Sequence, residues 1–374
     1  MDFLSPFAQF YYFAYWFIVM LLTVSRFNAM WRSSAYEVIE NQDVYRPILA
    51  FSIMYILFWG LRPISGVYFG DTANYATTYR LLEDFGVFNM QGSEDVGSDW
   101  LFNTLMRTCA QVMNVHFFFT IIMFLYIIMM FGGCRKIDYQ HGALLMLFCI
   151  GSFEFYPYSV NGIRNGVACS FAIMALAYLC KEKKVGALVW SFIAIGFHKS
   201  AALPVAAMFL SYYVSKPKYM YIAWLGAIVV SLAIGGYIDT LLSAMSYDER
   251  LAGNLQGDDA DGVIMEHRFR WDFLLYSSMP ILLGWYTIFK RQLFDKTYLI
   301  LLGTYIYANA FWVLAIRGMF SNRIAYLSWF IYPIVLAYPL LNFPVFKQNH
   351  SEKTAWILLG HFGFTSFLWM IGKN

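Results

Sequence analysis

The chain has 374 residues, of which 60% are hydrophobic and 13% charged, with a net charge of +3. A soluble domain carries about a quarter charged residues, so a soluble globular protein is excluded, and so small a net charge gives no ground for a nucleic-acid partner. The charges sit in short islands between apolar runs of roughly 15–22 residues, and a bilayer core about 30 Å thick takes roughly 20 helical residues to cross. An all-α polytopic membrane protein follows, expected as a single integral membrane domain over residues 1–374. Met1 to Pro6 has no basic stretch and no small-residue cleavage site follows the first apolar run, so no cleavable signal is expected.

Twelve apolar passes are predicted in chain order, at roughly 5–25, 47–61, 116–133, 141–156, 161–180, 185–197, 200–214, 219–238, 271–289, 297–315, 324–341 and 354–371. Lysine and arginine in short loops mark the cytoplasmic side. The islands Arg26/Arg32/Arg46, Arg135/Lys136, "KEKK" at 181–184, "SKPK" at 215–218, "KRQLFDK" at 290–296 and Lys347/Lys353 fall on every second connection. Placing them inside leaves 15 basic residues in the cytoplasm and 11 outside, with both termini outside.

The two sets differ in chemistry. The inner set has ten lysines and five arginines; the outer set has nine arginines and two lysines. Arginine grips phosphate with a two-pronged fork and tolerates partial burial, whereas lysine is a strongly hydrated point charge. The segregation points to an anionic, phosphorylated ligand on the outer side. Arg80 and Arg250 are better read as partners of the neighbouring Glu83/Asp84 and Asp248/Glu249.

Two outer segments are long, about 62–115 and 239–270. In the first, "GVYFGDTANYATTYR" sets Tyr75 and Tyr79 one turn apart if helical. "DWLFNTLMRTCAQVM" spaces Trp100, Leu101, Leu105, Met106 and Val112 as an amphipathic helix lying on the membrane face. The second holds "GDDADG" at 257–262, too short for a calcium loop and without its terminal Glu. The five cysteines have no metal or redox spacing and read as small apolar fillers. No metal and no cofactor are expected.

One vertex lies at "FEFYPYSVNGIRNGVACS", 153–170, where Arg164 opens a pass that is otherwise uncharged until Lys181. It would be expensive there unless it faces a watery cavity or pairs with Glu154. A second vertex lies between "KEKK" and "SKPK". One straight helix would put one of these islands outside. Two passes satisfy the charge rule, but each then has only about 13–15 residues, roughly 20–22 Å. The turn at His198-Lys199-Ser200 would sit below the outer surface, where non-helical backbone is tolerated only beside a cavity or buried in protein. Lys199 at that depth calls for water or an anion, and Ser200 is placed to cap the following helix.

These pieces together are similar to a known family. "LRPISGVYFGDTANYATTY", "NGIRNGVACSFAIMALAY", "GFHKSAAL", "RWDFLLYSSMPI" and "SNRIAYLSWF", spread from about residue 60 to 335, resemble the Wzy-type O-antigen and capsule repeat-unit polymerases, in particular the EpsG-like branch. The resemblance implies a GT-C-like helical glycosyltransferase of the bacterial inner membrane, with broken or re-entrant helices facing a periplasmic cavity. It implies undecaprenyl-diphosphate-linked oligosaccharides as substrates, membrane lipids as surroundings and a chain-length regulator as a candidate partner. The growing chain would leave its undecaprenyl diphosphate and pass to the non-reducing end of a new lipid-linked unit.

Displacing a diphosphate from an anomeric carbon needs charge neutralisation rather than a protonating acid. Arg62, Arg164, Lys199, Arg270 and Arg323 are the clamp candidates, with Arg317 and Arg268 as weaker ones. The acceptor hydroxyl must lose a proton, and His198 or Asp71 is placed to take it, since a histidine with its ordinary pKa of about 6.5 suits a base near neutral pH. Asp71 has the alternative of orienting the sugar or the arginines. Tyr75 and Tyr79 are candidates for sugar stacking. A flippase of lipid-linked sugars and an O-antigen ligase are the competing readings. The flippase would call for internal repeats and charges reachable from both faces, and neither is visible in the sequence.

Overall fold

A computed structural model describes residues 7–32, 42–85, 99–245, 269–318 and 321–370. Among these residues every regular element is helical, as an apolar medium requires of a chain whose backbone groups must be satisfied internally. The chain divides into two compact units, residues 1–202 with 340–374 and residues 203–339.

The first unit begins with α1 (Phe7–Arg32), α2 (Gln42–Gly60), the single turn α3 (Gly66–Phe69), α4 (Thr72–Phe85) and α5 (Trp100–Ala110). It continues with α6 (Val115–Ile137), α7 (Gly142–Ile150), α8 (Phe155–Val160), α9 (Ile163–Cys180) and α10 (Lys184–Phe197). The second unit holds α11 (Ala202–Tyr213), whose first residue still belongs to the first unit, α12 (Pro217–Met245), α13 (Trp271–Trp285), α14 (Lys296–Leu314), α15 (Ser321–Trp329) and most of α16 (Tyr332–Asn342). α17 (His350–Met370) belongs to the first unit again.

Small residues set the approach of the helices in the first unit, as expected where lipid removes most of the hydrophobic drive between them. A Cβ on Gly133 of α6 would lie 2.6 Å from Ile173 Cγ2 of α9, and one on Gly60 of α2 would lie 2.8 Å from Thr120 Cα of α6. α1 and α17 pair through aromatic and polar contacts. The Tyr12 and Trp369 rings stack with centroids 3.4 Å apart, and Trp16 Nε1 donates to Ser366 Oγ at 2.7 Å. Asn114 caps α6 by accepting from the backbone N–H groups of His116 and Phe117. All five cysteines are buried thiols.

In the second unit α12 packs along α14, and Gly303 leaves room for Ser211 and Met220. Several buried polar groups pair with one another, as favoured away from water. Trp224 Nε1 donates to Asn309 Oδ1 at 2.9 Å, Asn309 Nδ2 to Ser328 Oγ at 3.1 Å and Trp329 Nε1 to Ser277 Oγ at 2.7 Å. α12 departs from helical geometry at Ile234.

Six helical stretches among the described residues are long and apolar enough to cross a bilayer: 9–32, 115–137, 163–180, 217–237, 296–314 and 323–342. The apolar helices 44–60 and 184–197 are shorter. The pass expected at 141–156 is broken, because the helix stops at Ile150 and the Ser152 hydroxyl takes the Cys149 carbonyl at 2.7 Å before α8 begins. The pass expected at 185–197 ends at Phe197, where a single 3₁₀ turn at Lys199–Ala201 separates it from α11. α5 differs from a helix lying freely on a membrane face. Its apolar side buries Phe102, Met106, Cys109 and Ala110 and packs on α4, α6 and α10.

Adding a methyl at Gly60 meets backbone rather than a yielding side chain. Gly60→Ala is expected to destabilise the protein by about 1–3 kcal/mol, read as a lowered thermal midpoint of the detergent-solubilised protein; an unchanged midpoint would show that α2 and α6 part without cost.

Candidate functional site

The site forms around Asp99, the residue before α5. Its backbone is left-handed, φ 59° and ψ 40°, a conformation that Asp and Asn adopt more readily than other non-glycine residues. The side chain is only 2% exposed. Its carboxylate accepts from Arg164 Nη1 at 2.7 Å, from His198 Nδ1 at 3.0 Å to either oxygen, and from the Lys199 backbone N–H at 3.0 Å. Arg164 Nε donates in turn to the Tyr75 hydroxyl at 2.9 Å.

Four segments of the first unit bring these groups together. Arg164 is the second residue of α9, Tyr75 lies on α4, and His198 and Lys199 occupy the break after α10. His198 is extended, φ −157° and ψ 122°, and the Ala201 N–H closes on its carbonyl at 3.0 Å. Gly196 lets α5 approach that break: a Cβ there would lie 3.1 Å from the Trp100 ring. The docking of α5 on α10 is what sets Asp99 beside His198.

Burial is the largest single influence on the Asp99 carboxyl and pushes its pKa up. The His198 hydrogen bond and charge, the Arg164 charge and the Lys199 N–H together outweigh burial and hold it below the ordinary carboxylate value. Burial raises the Tyr75 phenol, against the opposing Arg164 charge. Because a carboxylate faces His198 Nδ1, the proton of the neutral ring is assigned to Nδ1, which leaves Nε2 as the acceptor. Nε2 lies 3.3 Å from Ser200 Oγ.

The structure gathers some of the sequence candidates and separates others. His198, Arg164, Tyr75 and Lys199 meet at Asp99, with the Lys199 side chain exposed. Arg164 reaches a partner 65 residues away, beyond the neighbouring Glu154 that the sequence suggests. Asp71 is exposed one turn before Tyr75, and its backbone N–H donates to Asn161 Oδ1 at 2.8 Å. Gly70 before it has φ +51°, and a side chain there would strike Asn161. Ser200 does not cap a helix; its hydroxyl turns to His198 instead. Tyr79 is buried and donates to the Met113 carbonyl at 2.8 Å.

Arg62 departs furthest from expectation. It is 1% exposed and donates to the Trp59 carbonyl, Thr72 Oγ1 and the Val160 carbonyl, between the Phe69 and Phe119 rings. Such a residue clasps helices and has no face left for a ligand. Arg270, Arg317 and Arg323 belong to the second unit. Arg270 forks onto Asp272 at 3.0 and 2.9 Å, Arg317 is half-buried beside Gly235 and Phe269, and Arg323 is exposed near the start of α15. Arg250, Arg268 and the "GDDADG" run lie outside the described residues.

Asp99 itself escapes the sequence reading, where it serves only as the start of an amphipathic helix. The one local signal is an acidic residue directly before the apolar Trp100-Leu101-Phe102 run. Its partners are 65, 99 and 100 residues away.

Fold and site together define a multi-pass helical membrane protein that buries a carboxylate bridging an arginine and a histidine at a helix break. The chain belongs to the EpsG family, whose family model matches residues 44–373 and so takes in every residue of the cluster. This is a family of Wzy-like polymerases, and the chain is accordingly a transmembrane protein of polysaccharide biosynthesis. No curated protein and no solved structure matches the chain.

A carboxyl held below its ordinary value stabilises the fold at pH values above the unfolded-state pKa of about 3.9 and loses that contribution as pH falls through the folded value. Asn is compatible with the left-handed backbone, so Asp99→Asn removes the charge and keeps the chain path. The gap in thermal midpoint between wild type and Asp99→Asn is expected to narrow as pH falls below about pH 4. A gap that fails to narrow below about pH 4 would contradict the ion pairing.

Proposed function

We propose that the protein is an O-antigen polymerase, a glycosyltransferase that joins undecaprenyl-diphosphate-linked oligosaccharide repeat units on the periplasmic face of the inner membrane. The reading takes the chain as a GT-C-like bundle of about twelve passes, with the Asp99 cluster opening to the periplasm. The observation that carries it is the Asp99 carboxylate, which orients a candidate base, His198, and a candidate phosphate ligand, Arg164, in one place. Membership of a Wzy-like polymerase family supports the same reaction class.

The anomeric carbon of the growing chain loses its bond to the diphosphate oxygen, which keeps the electron pair. The acceptor hydroxyl oxygen forms the new bond and gives up its proton. His198 suits that proton, because Asp99 holds Nδ1–H and leaves the Nε2 lone pair as the acceptor. Arg164, still 22% exposed on its side chain, and the exposed Lys199 meet the diphosphate. With neutral His198 the cluster is +1, from Arg164 and Lys199 against Asp99; after proton transfer it is +2. Positive charge therefore grows at the moment the diphosphate takes its electron pair, which favours the transition state over the ground state. Asp71, in the turn just before α4, and Tyr75, one turn into that helix, are assigned to holding sugar.

His198→Ala and Arg164→Ala are each expected to collapse the O-antigen ladder to a single repeat unit on lipid A–core while the protein is still made. Loss of a general base costs about 10²–10⁴-fold in rate. A persistent ladder in both variants would remove the site from the reaction. In a strain deleted for the gene, core capped by one unit marks a polymerase. Core without any O-antigen marks a ligase or a flippase and would overturn the proposal.

A further inference from the structure

The lone-pair nitrogen of His198 is not open. Ser200 Oγ stands 3.3 Å from Nε2, on the side of the ring opposite Asp99. The single 3₁₀ turn at Lys199–Ala201 puts it there, closed by the Ala201 N–H on the His198 carbonyl and anchored by the buried Ala201. Since Nδ1 carries the ring proton, a hydroxyl facing Nε2 must be the donor. The Ser200 oxygen has no other partner among the described residues, so its two lone pairs are left to accept. The side chain is half-buried, as is His198.

We infer that Ser200 is a catalytic residue of the proposed transfer, a hydroxyl relay between the acceptor sugar and His198; this rests on the polymerase reading above. An acceptor hydroxyl that approached Nε2 directly would have to displace Ser200 from the only hydrogen bond its side chain makes among the described residues. One that donates to Ser200 Oγ keeps the chain Asp99–His198–Ser200 intact and extends it by one link. In the step, the acceptor O–H bond breaks and its proton goes to Ser200 Oγ. The Ser200 O–H bond breaks and that proton goes to His198 Nε2. The acceptor oxygen bonds the anomeric carbon, and the diphosphate oxygen leaves with the electron pair. The imidazolium then returns its proton to the departing diphosphate or to water through the same hydroxyl. Serine ends as it began, and no covalent enzyme intermediate is formed.

The test measures turnover of a purified lipid-linked repeat unit by the full chain in detergent, with size-exclusion elution as the check on folding. Ser200→Ala is expected to lower kcat about 10–100-fold with KM changed less than about threefold, within the range of a proton-transfer defect. Ser200→Thr, which restores a hydroxyl, should recover most of the loss. A proton inventory in H₂O/D₂O mixtures should be curved for wild type, with two protons in flight, and linear for Ser200→Ala. A serine that merely steadied the turn would not change the shape of the inventory. Ser200→Ala at wild-type kcat, or a linear inventory in the wild type, overturns the relay. If Ser200→Ala and His198→Ala both retain full turnover, the polymerase site itself fails. If only His198→Ala is dead, the site stands and the relay falls.

Discussion

A carboxylate taken out of water must find its compensation inside the protein, and the site is organised by that demand at Asp99. Removing one member of a buried ion pair typically costs more than the pair itself is worth, because the other charge is left stranded. Here one carboxylate is balanced by a guanidinium, an imidazole and a backbone N–H. Those donors come from the start of α9 and the break after α10, while the acceptor comes from the start of α5. The balance can be met only when all three segments are docked, so the electrostatic requirement and the packing of α5 on α10 are one constraint. The helix break follows from it: the Lys199 N–H is available to a side chain because the backbone there is not continuing an α-helix.

Arg62 is the contrasting case. Burial lowers its pKa to about 10, with Tyr156, Tyr55 and Tyr11 opposing, so it remains charged at neutral pH. Among the described residues no carboxylate balances it. Backbone carbonyls of Trp59 and Val160, the Thr72 hydroxyl and two aromatic faces do so instead. Its fork therefore ties the ends of α2 and α8 to the start of α4 and carries Tyr75 to Arg164. Two cations of the unit thus have different work: the half-buried Arg164 keeps a partly open face beside the candidate base, and the buried Arg62 holds the frame that presents it.

Much of the architecture is legible in the chain alone. Apolar runs and basic islands locate many of the helices, and the short apolar stretch between "KEKK" and "SKPK" reveals the break at His198 once loop charge requires two passes there. Arg164 is visible because a cation at the start of an apolar helix must be doing something. Other assignments do not follow from local pattern. Arg62 and Arg164 each precede an apolar helix or close one, and nothing in spacing tells a clasp from a ligand. Ser200 reads as a cap because a serine before a helix usually is one, until a turn of three residues aims it at an imidazole. Asp99 gives almost no signal, since an acidic residue ahead of an amphipathic helix is a common helix start.

The sequence by itself determined that this is a helical membrane protein and where its apolar runs lie, and it marked a cation at each of two vertices. These properties follow from hydrophobicity, helix length and loop charge, which are local and additive along the chain. Only the tertiary structure decided which charges meet. Asp99 finds Arg164 and His198 across 65 and 99 residues, through an approach of α5 to α10 that depends on a missing Cβ at Gly196. Partner choice in a low-dielectric interior is set by distances of a few ångströms between segments, and no pattern within one segment encodes them.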